Sequence, residues 1–286
     1  MSHTPAIQAT FWGVRGSIAT PGTGTVRYGG NTPCLEIRAG GHRLIFDAGT
    51  GIRGLGAKLM AEGQPVDAHL FFTHLHWDHI QGFPFFGPAF VAGNRLHIYG
   101  LHQDDPEQEV KAVLERQMVN PNFPVPLDLM RSEMRFTGLL PGDTISLGEV
   151  QVHTAAMNHP GGCLGLRVEH QGRSLVFCTD TEHDPEVEAP DPQVVALARD
   201  ADILIYDATF TEAEFLKGRR GWGHSTYEEA VKVARAAGVR RLYFFHHDPA
   251  HDDAFLDARL AEARGWTSAE RDLTVDMARE GETLTL

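Results

Sequence analysis

Residues 74–79 read His-Leu-His-Trp-Asp-His and follow directly on the apolar, β-rich run 69–72. A strand that ends in such a loop turns imidazoles and a carboxylate inward while the sheet behind fixes their positions. Neutral imidazole nitrogen and carboxylate oxygen are the ligand set of Zn²⁺, and equally of Mn²⁺ and Fe²⁺. Protonated, three imidazoles this close would repel one another, so the cluster makes chemical sense with His74, His76 and His79 neutral and metal-bound beside Asp78. A chance run of surface polar residues would have to place four ligand-type side chains at this spacing beside a strand.

The rest of the chain supplies a scaffold for such a loop. Short β-rich runs recur at 7–12, 35–39, 44–47, 69–72, 96–99, 150–154, 164–169, 174–178, 203–206, 242–245 and 273–277. Helical periodicity appears at 107–119, 193–199, 227–237 and 254–263, the third with Thr226 as N-cap and Gly238 as terminator. Strands come first in hairpin-like groups, and helices separate the later strands. Two packed sheets with helices outside satisfy that order, which predicts an α/β fold, an αββα four-layer sandwich formed by residues 1–286 as one domain. The aromatic and Pro-rich stretch 84–141 interrupts the rhythm just after the histidines. It reads either as a packed surface subdomain or as an insertion capping one side of a pocket.

Composition narrows the partners. Asp and Glu outnumber Lys and Arg by 38 to 25, a net charge of −13, which argues against a broad phosphate-tracking surface and a stable nucleic-acid complex. A small anionic substrate stays open, because bound divalent ions dominate the field inside a site. The three cysteines lack zinc-finger or disulfide-framework spacing, and Cys34 and Cys178 read as core residues. With no signal-peptide pattern at the amino terminus and no apolar run approaching the ~18 residues of a membrane span, the expected location is the cytoplasm.

His74-x-His76-x-Asp78-His79 resembles the signature of the metallo-β-lactamase superfamily. Later positions match the superfamily's remaining motifs in order: His159 in Asn158-His159-Pro160, Asp180 in Cys178-Thr179-Asp180, and His246 in Phe245-His246-His247. The resemblance implies that His74, His76 and His159 hold one divalent metal ion, that Asp78, His79 and His246 hold the other, and that Asp180 bridges them. Zinc is the first expectation, with manganese or iron as alternatives. His246 and His247 both remain candidates for the last position; strand alternation favours His246. His183 reads as a solvated loop residue, and Asp47 in Phe46-Asp47-Ala48-Gly49 as a supporting acid.

Two features resemble the RNase Z and PhnP-like phosphodiesterase branch. Tyr206-Asp207-Ala208-Thr209 precedes Gly223-His224-Ser225-Thr226, similar to the branch's acid-plus-histidine pair, although Asp207 stands where the branch has Glu. The Gly-rich turns 13–17 and 28–32 are similar to loops that border the active site in that branch. The resemblance implies that Asp78 orients the attacking water and that His224, supported by Asp207, protonates the leaving oxygen. RNase Z enzymes insert a long tRNA-gripping arm between the third and fourth motifs, whereas here only about twenty residues separate His159 from Asp180. The expected activity is therefore hydrolysis of a small phosphodiester, such as a cyclic nucleotide or short oligonucleotide, by a homodimer. The alternatives are a hydrolase of thioesters, lactones or β-lactams, and a non-hydrolytic diiron or metal-sensing protein.

Overall fold

The structure, a computed structural model, describes residues 5–286. Its strands are, in chain order, β1 (Ile7–Gly13), β2 (Cys34–Ala39), β3 (His42–Phe46), β4 (Asp67–Phe71), β5 (Arg95–Leu101), β6 (Glu133–Leu139) and β7 (Thr144–Leu147). There follow β8 (Val150–Met157), β9 (Cys163–His170), β10 (Arg173–Cys178), β11 (Ile203–Asp207), β12 (Arg241–Phe245), β13 (Thr274–Met277) and β14 (Thr283–Thr285). They form two seven-stranded sheets, ordered β14-β1-β2-β3-β4-β5-β6 and β13-β12-β11-β10-β9-β8-β7. Each sheet is antiparallel on one side and parallel on the other, where β3 to β6 and β10 to β13 run alongside each other.

The helices are α1 (Ile52–Glu62), α2 (Trp77–Ile80), α3 (Val110–Gln117), α4 (Pro192–Ala198), α5 (Glu212–Leu216), α6 (Tyr227–Ala237) and α7 (Asp253–Trp266). Three apolar layers hold the sandwich together. Strand alternation sends Ile7, Ala9 and Phe11 of β1 into the layer between the sheets, where Phe46, Phe71, Phe177 and Phe245 meet. A second layer joins α1 and α3 to the outer face of the first sheet, and a third joins α4, α6 and α7 to the outer face of the second. This is the αββα metallo-β-lactamase fold. In α6, Thr226 accepts the Glu229 N–H and Gly238 closes the last turn at a φ of 69°, so the helix ends where its capping residues stand.

Three strands (β6, β7 and β14) and three helices (α1, α2 and α5) go beyond the sequence reading. β6 lies inside the 84–141 stretch and pairs in parallel with β5, so residues 95–101 and 133–139 belong to the first sheet. β7 forms a hairpin with β8. Helix α1 contains two glycines, and Gly56 is there for contact: a Cβ would lie 3.0 Å from Phe86 Cδ2 and 3.3 Å from the Gly87 nitrogen. Its absence lets the helix press onto the turn at Gly87–Phe90.

Candidate metal centre

Parallel strands of an α/β sheet place ligand sites beyond their carboxyl ends, and the histidine cluster lies there. Beyond β4 come Thr73 to His79, beyond β10 Asp180, at the end of β11 Asp207, and beyond β12 His246. Asp47, Asp180 and His246 take left-handed backbone, with φ of 61°, 51° and 63°. That conformation is costly for non-glycine residues and is kept where the surroundings dictate it.

The side chains converge. His79 Nε2 lies 3.3 Å from Asp78 Oδ2 and 3.2 Å from Asp180 Oδ2. His246 Nε2 lies 3.2 Å from Asp78 Oδ2 and 3.3 Å from Asp180 Oδ1. On the other side of Asp180, His74 Nε2 is 3.8 Å and His159 Nε2 3.9 Å from Oδ1, and His159 Nε2 is 3.0 Å from His76 Nδ1. Donor atoms fall into overlapping groups: His74, His76 and His159; His74, His79 and Asp180; Asp78, His79 and His246. His246 faces this centre, whereas His247 turns away and meets the Ala278 carbonyl at 3.0 Å.

The donor set fits divalent metal. Buried His74 Nε2 and His79 Nε2 have no hydrogen-bond partner among the described residues, a costly state for a buried polar atom unless an ion occupies its lone pair. The opposite ring nitrogens are pinned. His79 Nδ1 meets Asp47 Oδ2 at 2.8 Å, His159 Nδ1 the Gly223 carbonyl at 2.8 Å, His246 Nδ1 the Thr209 hydroxyl at 3.0 Å, and His74 Nδ1 the Thr73 hydroxyl at 3.2 Å. Such outer contacts fix tautomer and ring orientation in metal sites. Asp47 is itself held by the Thr73 N–H and hydroxyl.

Electrostatics follow from burial and crowding. Burial opposes ionisation of Asp78, but His79 and His246 outweigh it and hold the carboxyl far below its usual range. His74 moves down, through burial and the neighbouring His79. His224 moves the other way: burial opposes its charge, yet Asp207 at 2.9 Å raises it to about 9. Asp207 is fully buried, whereas the His224 side chain keeps 12% of its surface at the rim.

The Ser17 N–H donates to Asp78 Oδ2 at 2.7 Å, so the 13–17 turn borders the centre, as the resemblance implied. The individual contacts that support the centre were not visible as functional in the sequence. A Cβ on Gly16 would come within 2.3 Å of the His246 ring, so only glycine permits this approach. Glu182 accepts the Gly221 and Gly223 N–H groups and so shapes the loop that carries His224. The Thr73 hydroxyl carries no motif signal of its own, and Thr209, although part of the Asp207-Ala208-Thr209 segment, had no role of its own in the sequence reading. His183 is not solvated as expected: it is buried, with Nε2 3.1 Å from Glu229 Oε2 on α6. All three cysteines are free and buried. A pocket of about 180 Å³ adjoins the centre, bounded by His74 and His76 on one side and by Leu101, Gln103 and Val113 from the 84–141 stretch on the other.

Comparison with known proteins agrees with this architecture. The chain is 27% identical to a Ribonuclease Z of Haloarcula marismortui, over 94% of this chain and 95% of that one. In three dimensions it resembles the metallo-β-lactamase fold protein YhfI of Bacillus subtilis at a TM-score of 0.72 and 19% identity, covering 98% and 99% of the two chains. It also resembles a diphosphatase of the PhnP family at a TM-score of 0.66 and 18% identity, covering 98% of each. The family described as the Beta-lactamase superfamily domain matches residues 42–247, well over half the chain and spanning the loops that build the centre, and the chain belongs to that superfamily.

Proposed function

We propose that this chain is a dinuclear metal-dependent phosphodiesterase acting on a small anionic phosphodiester, such as a cyclic nucleotide or a short oligonucleotide. The observation that carries the reading is the ion-paired His224, held by buried Asp207 at the rim of the donor cluster. His74, His76 and His159 would hold one ion and Asp78, His79 and His246 the other, with Asp180 between them. Two divalent ions there, zinc or else manganese or iron, would acidify water and neutralise charge on a phosphoryl group.

The remaining steps belong to the protein. Asp78, oriented by the Ser17 N–H, stands ready to accept a hydrogen bond from the attacking water. His224, kept protonated by Asp207, gives its Nε2 proton to the departing oxygen. It stands two residues before the Thr226 cap of α6, whose amino terminus favours an anion. Acyl substrates such as thioesters or β-lactams have less use for an acid paired in this way.

The Ribonuclease Z name of the Haloarcula relative supports phosphodiester chemistry and raises tRNA as a substrate. The small-substrate reading rests on the span between His159 and Asp180, which forms the β9–β10 hairpin with register Arg173↔His170, and on the net charge of −13. The adjoining pocket walled by the 84–141 stretch suits a compact substrate. A homodimer in the cytoplasm completes the proposal; three free cysteines suit a reducing compartment, and no helix among the described residues is long and apolar enough to cross a membrane. The test is removal of metal by chelation followed by reconstitution with Zn²⁺ or Mn²⁺. Hydrolysis of bis-p-nitrophenyl phosphate should vanish and return. Undiminished hydrolysis by metal-free protein would refute the reading.

A further inference from the structure

We propose that Asp67, His69 and His97 form a separate divalent transition-metal site, of the zinc, nickel or copper class, towards the amino-terminal ends of β4 and β5. One donor atom from each of these side chains lies within 4.8 Å of the others. The strands pair in parallel with His69 opposite His97 and Asp67 opposite Arg95. Alternation puts Asp67 and His69 on the same face of β4 as Phe71, at the outer margin of the layer between the sheets.

The spacing suits an ion. His97 Nε2 is 3.5 Å from Asp67 Oδ1, close to the edge of about 3.4 Å expected of a tetrahedron with zinc bonds of about 2.1 Å. Arg95 engages the other oxygen, Oδ2, at 2.6 Å and leaves Oδ1 turned towards His97. His69 is buried, and its Nδ1 lies 3.3 Å from the Tyr99 hydroxyl. That is the outer partner a ligating imidazole uses to fix its tautomer, and it leaves Nε2 for the ion. The ring of His42 stands edge-on to His69 at 5.6 Å.

Packing alone does not explain two histidines here. Their rings stack at 4.7 Å and 16°. Two residues along the same strands, Phe71 and Tyr99 make the same stack at 4.4 Å and 12°. Rings without nitrogen therefore stack on this sheet face equally well, and what His69 and His97 add is nitrogen donors. An ion there would staple β4 to β5, with three protein ligands and a fourth position open to water.

The full-length protein, with its active centre loaded, is dialysed to equilibrium against Zn²⁺ and its metal content measured by mass spectrometry. His69→Phe keeps the stack and removes a donor; His97→Asn changes a partly exposed side chain, 28% of whose surface is open to solvent. Wild type should carry one more equivalent per chain than either variant. Zn²⁺ should raise the thermal midpoint of wild type but not of the variants, and phosphodiester hydrolysis should be unchanged in all three. Should His69→Phe fail to fold, His97→Asn decides alone. Equal metal content in wild type and His97→Asn overturns the site.

Discussion

Asp207 Oδ2 lies 2.9 Å from His224 Nδ1, and the carboxylate is itself fixed by the N–H groups of Thr209 and Ser225 and by the Thr209 hydroxyl. The pair is therefore aimed before any substrate arrives. Replacing His224 by Ala should lower kcat/KM for diesters with poor leaving groups by about 10²–10⁴-fold, and far less where p-nitrophenolate departs. Steady-state kinetics on a matched leaving-group series checks this. Equal losses across the series would remove the acid role.

Asp47 touches no proposed metal directly but meets His79 Nδ1 at 2.8 Å. Asp47→Ala frees the imidazole to rotate and removes the partner that fixes its tautomer. Metal affinity should fall about 10–100-fold, read by competition with a chromophoric chelator, while far-ultraviolet circular dichroism stays unchanged.

Glu214 closes a capping box with Thr211 and accepts from His251 Nε2 at 2.9 Å. Burial would raise its pKa, but the His251 contact and the Thr211 N–H and hydroxyl outweigh it, so the folded value lies below the ordinary 4.5. A depressed carboxyl stabilises the fold above its unfolded pKa and loses that contribution as pH falls through the folded value. Glu214→Ala should therefore lower stability at neutral pH, with the gap to wild type narrowing below pH 4.5. Urea melts across that range measure it.

Phe177 packs between the sheets, 5.8 Å from the Phe46 ring and 5.1 Å from that of Phe245. Phe177→Ala should destabilise the fold by about 3–5 kcal/mol. Because β10 ends just before Asp180, thermal melts should show metal protection weakening with it.

The parts of this molecule that were legible in the sequence are those where one residue answers to one local rule. Alternation in Ile7, Ala9 and Phe11 marked β1, and Thr226 with Gly238 marked both ends of α6. The histidine and aspartate spacings marked the centre. Helix α1 was hidden because Gly54 and Gly56 each disfavour helix by about 1 kcal/mol, while the reason for Gly56, its contact with Phe86, lies 30 residues away in the chain. Strand β6 was hidden because its outward residues, Glu133, Arg135 and Thr137, are those of an exposed edge. The supports of the centre were hidden for the same reason as α1. Nothing local marks the Thr209 hydroxyl or the Gly223 carbonyl as partners of histidines dozens of residues distant. His183 looked solvated because Glu229, its buried partner, sits on a helix that folds over it from 46 residues downstream.

Phosphodiester specificity at this centre is decided by a side-by-side assay of metal-reconstituted protein. The substrates are bis-p-nitrophenyl phosphate, a cyclic nucleotide, a precursor tRNA, a thioester and a β-lactam. The predicted result is turnover of the two small phosphodiesters, with the other three slower by orders of magnitude. Activity confined to the thioester and the β-lactam would contradict it.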